Sequence, residues 1–392
     1  MQKTIYQTDS EGLKKILSEA VGKYETYAPV EKFGRFFYEK VGSVKEFELV
    51  SPIEKTLSVK PLFLPQTSDI IRFKENREGI TIQEPITSPI PKKRLILGVK
   101  MCDAHGMKIL ENISRWSCNN GECKGGSCNS NASQNDVIQN RDSHDRASIA
   151  VVSEDDDFLK RRENSILFVS ACAKAESKCF CTSLDFDLES NDAYDVLHVN
   201  YSDDIVYLKA MSAKGEEFLS GFSGSMSKVS DNASDRASDE ANDNIKDFFD
   251  KFRQTFQKKI DYNQFHEKLK SGIDNLNFDE CSKVCISCNA CAFICPTCYC
   301  FSVTDEKVKE TGVRYKFYDS CACDNFTRMA GGHDPRPEKT HRWRQRALHK
   351  FVYFKERFGT NLCVGCGRCV SFCPVNVDIF DVIVNAVKSP KE

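Results

Sequence analysis

The sequence predicts an α+β protein in which an N-terminal α/β domain is followed by a mostly helical domain. Three observations lead to this fold class. In the first half, short apolar runs with the length of buried strands alternate with segments of helical periodicity. Residues 245–280 then have an apolar stripe at helical spacing, and the last third contains two copies of one cysteine motif.

The chain begins with a predicted helix over residues 9–24. Apolar residues recur there at helical spacing, and Asp9 or Ser10 can cap the first turn. Residues 61–91 contain several prolines and short alternating pieces, which predict strands and turns. These elements open a predicted α/β domain over residues 1–221.

Two apolar runs in this domain, at 94–103 and 165–173, are typical of buried strands. Each run delivers a cysteine at its carboxyl end, Cys102 in the first and Cys172 in the second. If the two strands are parallel neighbours, the two thiols meet at one edge of the sheet. The sequence therefore places a candidate site at that edge.

Two segments differ in composition from the rest. Residues 117–148 and 222–244 are rich in Ser, Asn and Asp and poor in apolar residues. Such segments bury too little apolar surface to offset the entropy of ordering, so we predict a flexible insert and a disordered linker. A helical connector follows over 245–280, and residues 281–392 form the second domain. The predicted apolar stripe of the connector comprises Phe248, Phe249, Phe252 and Phe256.

Bulk composition excludes several classes of protein. The net charge of −2 and pI of about 6.4 argue against nucleic-acid binding. No apolar run approaches the length of a membrane span, and the N-terminus lacks the apolar stretch of a secretory signal, so we expect a cytoplasmic protein. Twenty cysteines in a reducing compartment favour metal ligation or redox chemistry over disulfides.

Thirteen of the cysteines lie between Cys281 and Cys373, and eight of these form two C-x2-C-x2-C-x3-C-P runs, at 285–296 and 363–374. This run is typical of bacterial ferredoxins, in which the fourth cysteine of each motif ligates the other [4Fe–4S] cluster. We therefore predict a two-[4Fe–4S] ferredoxin-like domain. The first ligand set is Cys285, Cys288, Cys291 and Cys373. The second is Cys363, Cys366, Cys369 and Cys295.

Further cysteines lie outside the two motifs. Four in the N-terminal domain are the right number for a third cluster, with buried thiols as the alternative: Cys102, Cys172, Cys179 and Cys181. Three around the first motif are candidates for additional metal ligands, with packed thiols as the alternative: Cys298, Cys300 and Cys321. The basic run 328–357 is predicted either to stabilise anionic clusters or to dock an acidic partner. A solvated helix face is the third interpretation.

The sequence contains no nucleophile triad, Walker loop or GxGxxG fingerprint, and no catalytic residue is predicted. Without an evident substrate pocket, the chain is predicted to be an electron-transfer subunit of an oxidoreductase complex and not a stand-alone catalyst.

Several segments together resemble a known family: KMCDAHGMKIL, ACAKAESKCFCTSL, CISCNACAFICPTCYCF, DSCACDNFTRMAGGHDPRP, RWRQRALHKFVYF and CVGCGRCVSFCP. They resemble the beta (iron–sulfur) subunit of cytoplasmic sulfhydrogenases and of related hydrogenase or heterodisulfide-reductase complexes. They are also similar to the electron-transfer subunit of anaerobic sulfite reductase. The resemblance implies a third cluster on Cys102, Cys172, Cys179 and Cys181, with Asp103 as an alternative oxygen ligand.

The resemblance also implies partners. These are a flavin-containing subunit that carries FAD and exchanges electrons with NAD(P)H, a small iron–sulfur subunit, and a hydrogenase or reductase catalytic subunit. We therefore expect a relay between the flavoprotein and a hydrogenase or related module. The alternatives are the corresponding subunit of an anaerobic sulfite reductase and, in a different class, a cluster-based redox sensor.

Overall fold

The computed structural model describes residues 4–77, 79–83, 93–115, 117–119, 122–124, 156–184, 186–189, 192–229 and 236–388. Of the insert predicted over 117–148, only two three-residue strands are described, and the rest of that prediction lies outside the described residues.

The strands, in chain order, are β1 (Ile5–Thr8), β2 (Glu25–Lys32), β3 (Arg35–Lys40), β4 (Thr67–Asn76), β5 (Gly79–Gln83), β6 (Arg94–Lys100), β7 (Ser117–Asn119), β8 (Glu122–Lys124), β9 (Ser165–Ser170), β10 (Val196–Asn200), β11 (Val206–Ala210), β12 (Ser227–Val229), β13 (Phe301–Val308) and β14 (Thr311–Tyr318).

The helices are α1 (Ser10–Lys23), α2 (Met101–Ser114), α3 (Asp156–Glu163), α4 (Ala213–Ser220), α5 (Arg236–Gln254), α6 (Tyr262–Ser271), α7 (Asp279–Val284), α8 (Ala290–Phe293), α9 (Lys339–Leu348), α10 (Phe354–Phe358), α11 (Arg368–Ser371) and α12 (Ile379–Lys388). A π-helical turn over His349–Tyr353 joins α9 to α10.

The largest sheet has eight strands in the order β12-β1-β11-β10-β9-β6-β2-β3. Its centre, from β10 through β9 and β6 to β2, is parallel, and the flanking strands pair antiparallel. Leu95 and Leu97 of β6 pack with α1 and α4 on one face, whereas Ile96 and Val99 pack with α2, α3 and α5 on the other. Helices on both faces bury the parallel strands, which confirms the predicted N-terminal α/β architecture.

The predicted parallel pairing of the two apolar runs is confirmed, because β6 and β9 are parallel neighbours. Cys172 lies just beyond β9. Cys102 lies one step further than predicted, in the first turn of α2, which follows β6 without a loop. Both cysteines leave the sheet at its carboxyl edge, where ligand sites of such sheets form.

Two helices predicted from periodicity are confirmed. Helix α1 begins at Ser10, and the Asp9 carboxylate caps it by accepting a hydrogen bond from the Gly12 amide at 2.7 Å. Helix α5 buries the predicted phenylalanine stripe in the core between the sheet and the cysteine loops. The buried side chains are Phe248, Phe249, Phe252 and Phe256.

The disordered linker predicted over 222–244 is wrong for the residues that the structure describes there. Strand β12 pairs with β1 at the edge of the large sheet, and α5 already covers the end of the segment. The helix forms because Ala241 and Ile245 extend the stripe of Phe248 at helical spacing, and all three are buried. The many polar residues between these positions lower the mean apolar content of the segment, so its composition alone does not reveal the stripe.

A second sheet connects the two halves of the chain. It is antiparallel, in the order β13-β14-β4-β5, so the hairpin of the C-terminal region pairs through β14 with a strand of the N-terminal region. This hairpin was not predicted from the sequence, because β13 is largely exposed and has few of the buried apolar positions that mark a core strand. The predicted domain boundary is therefore crossed by one continuous sheet.

Candidate metal centre

The second cysteine motif is a tight loop that opens α11. Gly365 and Gly367 adopt left-handed backbone conformations, with φ of 62° and 72°. A Cβ atom at Gly365 would lie 2.5 Å from the Cys181 nitrogen, and one at Gly367 would lie 2.7 Å from the Lys178 oxygen. Both positions therefore require glycine, for conformation and for space. This close approach brings the N-terminal cysteines against the second motif.

The thiols of the second predicted ligand set line one cavity. Cys363, Cys366 and Cys369 come from the second motif, and Cys295 comes from the end of the first. The structure thus brings these four together, including the cysteine that the exchanged ligation requires. Phe180 and Ile379 contribute apolar walls to the same cavity.

The first motif repeats the backbone of the second at the surface. Ser287 and Asn289 occupy the positions that correspond to Gly365 and Gly367, and they have φ of 57° and 62°. Here Cys288 is exposed, whereas the cysteines of the second motif are partly buried. The two motifs therefore present one loop geometry in two environments, one open to solvent and one enclosed.

The fourth cysteine of the second motif has only local partners among the hydrogen bonds of the described residues. The Cys373 thiol accepts a hydrogen bond from the Val377 amide at 3.3 Å. Helices α8 and α11, which carry Cys291 and Cys369, pack against each other. This packing brings the two motifs together, but membership of Cys373 in the first ligand set stays a prediction.

Two cations from the predicted basic run are buried among the motif thiols. Arg346 is 2% exposed and donates hydrogen bonds to the Cys291 carbonyl at 3.0 Å and to the Cys298 thiol at 3.7 Å. Lys350 is 3% exposed, and its ammonium lies 3.3 Å from the Cys295 sulfur. Lys350 is part of the π-helical turn, an irregularity that is frequent at functional sites.

These cations set the electrostatics of the enclosed thiols. A hydrogen bond from Cys298 lowers the pKa of Cys295 well below its ordinary value; burial opposes this, and Lys350 and Arg346 lower the pKa further. Burial acts against the charge of Lys350, but the neighbouring Cys295 and Cys298 thiolates raise its pKa above the usual value. At Cys295 these contacts favour thiolate sulfur, which is the form that ligates iron, whereas burial raises the pKa of Cys363 and Cys369.

The four N-terminal thiols adjoin the second motif. Burial raises the pKa of Cys181 well above its ordinary value, and negative charge on Cys179, Cys172 and Cys366 raises it further, because these sulfurs lie close together. Cys102 joins the group through a hydrogen bond with Cys366, which raises the pKa of Cys102 together with burial. The structure thus gathers the predicted third ligand set at the edge of the second.

An ion pair closes the other side of this group. The Arg368 guanidinium donates to both carboxylate oxygens of Asp103, at 2.8 and 2.5 Å, and both residues are completely buried. Ser58 also donates to Asp103 at 2.9 Å. Both oxygens of Asp103 are thus engaged, which argues against the predicted alternative in which this carboxylate ligates iron.

Tyr194 is buried beside the N-terminal thiols. Burial raises its pKa well above the ordinary value, and Cys181, Cys172 and Cys102 raise it further. Its hydroxyl is buried and has no hydrogen-bond partner among the residues that the structure describes. An unpaired buried hydroxyl beside three thiols fits a site that receives a sulfide-containing group.

The three candidates for additional ligands also lie together. Cys298, Cys300 and Cys321 line a second cavity, next to Arg346 and Lys350. Within the described part of the chain, no three His, Cys, Asp or Glu side chains converge as they would on one metal ion. Ligands of a cubane instead bind separate iron atoms around a larger body, so the donor sets fit clusters better than single ions.

Some residues of the site were not predicted. Lys60, Lys100 and Tyr194 are buried near the cysteines, and no local pattern marks Lys60 or Tyr194, because only the fold brings them there. Arg368 could have been identified from the sequence, because it is a charged residue between two cysteines of one motif.

Comparisons with known proteins agree with this geometry. A profile of the 4Fe-4S dicluster domain matches residues 284–377, which contain both motifs. The chain is also similar to sulfhydrogenase 2 subunit beta of Pyrococcus furiosus, with 26% identity over 358 residues, 91% of this chain and 90% of the relative. The predicted similarity to the electron-transfer subunit of anaerobic sulfite reductase stays a prediction.

The C-terminal region is therefore a 4Fe-4S dicluster domain, and the protein is an iron–sulfur electron-transfer protein. In the parts of the chain that the structure describes, no helix is both long enough and apolar enough to cross a membrane.

Proposed function

We propose that this chain is the electron-transfer subunit of a multi-subunit oxidoreductase. It relays electrons between a flavoprotein that carries FAD and uses NAD(P)H and a hydrogenase or related terminal reductase, which it reaches through a small iron–sulfur protein. The name of the relative, a beta subunit of a sulfhydrogenase, supports both the complex and the hydrogenase assignment. Bound [4Fe–4S] clusters would supply reversible one-electron transfer.

The observation that carries this proposal is the continuity of the three thiol groups. The exposed Cys288 belongs to the first motif, and α8 of that motif packs on α11 of the second. The Cys179 thiol of the N-terminal group then donates to the Cys366 carbonyl of the second motif at 3.7 Å. Three adjoining groups of thiols, from surface to interior, suit conduction across the subunit better than a single redox reaction.

The protein's own residues have three tasks in this role. Arg346, Lys350 and Arg368 offset the negative charge of thiolate ligands. Phe180 and Ile379 place apolar surface around the enclosed cavity. The backbone amides of Ser287 and Val377 donate to cysteine sulfurs in the two motifs, at 3.4 and 3.3 Å, and hydrogen bonds of this kind tune cluster potentials.

The surface at the first motif is the proposed point of exchange with a partner subunit. Ile286 and Phe293, which flank the exposed Cys288, are 59% and 43% exposed. Apolar side chains around an accessible cofactor site are typical of a docking surface. Substitution of Ile286 with Glu should therefore weaken assembly of the complex while leaving the iron content of the isolated chain unchanged.

The proposal predicts that the isolated chain and the complex differ in the reactions they catalyse, which purified protein can test. The chain, isolated anaerobically, should accept electrons from dithionite but catalyse neither NAD(P)H oxidation nor H2 oxidation alone. The complex isolated through a tag on this chain should couple the two reactions. Turnover of NAD(P)H by the chain alone would contradict the relay, and coupling to sulfite in place of H2 would contradict the hydrogenase assignment.

The third cluster is tested separately. The double variant Cys179→Ser/Cys181→Ser should lose about four irons per chain relative to wild type, because one [4Fe–4S] cluster holds four. The EPR signals of the two motif clusters should persist. Unchanged iron in this variant would confine the relay to the dicluster domain.

A further inference from the structure

The hairpin β13–β14 brings two cysteines together at its base. Cys300 immediately precedes β13, and Cys321 follows β14 by three residues. Phe301 pairs with Tyr318, and the Asp319 amide donates to the Cys300 carbonyl at 3.0 Å, so the base of the hairpin is closed. The Cys300 and Cys321 side chains line the same cavity. Neither cysteine belongs to the dicluster motifs.

These two thiols open into a cavity of their own. Cys298, Cys300, Cys321 and His349 line it, whereas a separate cavity is lined by the second motif set. The His349 ring packs against Tyr299 and Phe354 at this cavity, and a neutral imidazole has a lone pair to donate. The cavity therefore offers four soft or borderline donors, three sulfurs and one nitrogen.

The buried cationic side chains around the cavity favour binding of an anion. Lys60, Arg346 and Lys350 are between 1% and 3% exposed. None of the three forms an ion pair with a carboxylate among the described residues, although burying an unpaired cation is costly. Lys60 donates instead to the Cys298 carbonyl at 3.0 Å.

The second motif set does not account for all of this positive charge. Arg346 interacts with Cys298 and Cys321 as well as with Cys291 of the first motif. Its Nε atom is buried without a hydrogen-bond partner among the described residues, although one Nη nitrogen donates to the Cys298 sulfur. A further anionic group in this cavity would supply both the missing acceptor and the missing charge.

We propose that Cys298, Cys300 and Cys321 bind an additional [4Fe–4S] cluster, with His349 as the fourth ligand. The site is separate from the two motif sets and from the N-terminal set, and it does not depend on the proposed relay. Lys60, Arg346 and Lys350 form its cationic surroundings. Because Cys298 follows Cys295 by three residues and Lys350 borders both cavities, the site is a branch from the second motif cluster.

The first test measures iron and acid-labile sulfide in the full chain, prepared anaerobically. The variant Cys300→Ser/Cys321→Ser leaves Cys298 in place and so spares its contact with Cys295. We expect a loss of about four irons and four sulfides per chain. The matched control, Cys323→Ser, changes a half-buried cysteine that does not line the cavity, and should lose none. Unchanged iron in the double variant would overturn the proposal.

A second measurement does not depend on the folding of that double variant. In wild-type chain labelled with ¹⁵N-histidine, pulsed EPR of the reduced protein should detect nitrogen coupled to one cluster. The coupling should vanish in His349→Gln and persist in His341→Gln, an exposed position on the same helical segment. Absence of any histidine coupling in the wild type would overturn the His349 ligation. One equivalent of zinc, lost in the double variant, would overturn the cluster.

Discussion

Asp103 and Arg368 form a bidentate ion pair in which neither residue is exposed to solvent. Asp103 follows Cys102 at the start of α2, and Arg368 lies between two cysteines of the second motif. The Arg368 Nε also donates to the Thr56 carbonyl at 2.6 Å. The pair therefore holds the sheet edge of the N-terminal region against the dicluster domain.

Breaking this ion pair should be costly, because the remaining charge would be buried without its partner. We expect Asp103→Ala to lower the free energy of unfolding by about 3–5 kcal/mol. The midpoint of anaerobic urea unfolding measures the effect. The double variant Asp103→Leu/Arg368→Met should recover part of the loss, since it leaves no unpaired charge. A double variant as unstable as the sum of both single variants would contradict this account.

The paired left-handed positions of the two motifs should respond oppositely to substitution. Ser287→Gly should stabilise the chain by about 1 kcal/mol, because glycine removes the cost of a left-handed backbone at an open site. Gly365→Ser should destabilise it by about 3 kcal/mol or more, because a Cβ would meet the Cys181 backbone at 2.5 Å. The two variants are compared by urea unfolding and by iron content. Equal effects on the free energy of unfolding would contradict this prediction.

Much of the fold could be predicted from local pattern. The apolar runs of β6 and β9 have the length and composition of buried strands, and Asp9 is a recognisable helix cap, so these elements followed from spacing alone. The hairpin β13–β14 could not, because its pairing with β4 is a long-range contact and β13 is mostly exposed. Local periodicity does not predict which distant strands pair with each other.

The candidate site could likewise be predicted only in part. The motif spacing predicted that Cys295 would join Cys363, Cys366 and Cys369, and the structure brings these four together. The buried cation Lys60 could not be predicted, because a lysine in the N-terminal region reaches Cys298 only through the tertiary fold. Metal-ligand spacing is a local property, whereas charge compensation depends on every element around the site.

Acid should destabilise the N-terminal region through His198. This residue is buried beside Ser170, and burial lowers its pKa to about 4, below the ordinary value of 6.5. The unfolded chain therefore binds more protons between these values, and stability falls as the pH drops from about 6.5 towards 4, by about 3 kcal/mol in the limit. His105, whose pKa burial also lowers to about 4, adds to the effect.

The variant His198→Gln should therefore lose less stability than wild type between about pH 7 and pH 4.5. Anaerobic urea midpoints across this range give the slope, and comparing variants cancels the acid lability of the clusters that both share. His341→Gln, at an exposed position, is the matched control. The same slope in His198→Gln and wild type would show that this imidazole does not govern acid stability.

The ammonium of Lys350 should raise the reduction potential of the enclosed clusters. It lies 3.3 Å from the Cys295 sulfur and is almost completely buried, so its charge is weakly screened and favours the reduced, more negative state. Lys350→Met should therefore shift a midpoint potential to more negative values by on the order of 60 mV, a tenfold change in a one-electron equilibrium. EPR-monitored redox titration measures the shift. Lys388→Met, which removes an exposed lysine, should leave every potential unchanged, and an equal shift in both variants would attribute the effect to net charge instead of to this contact.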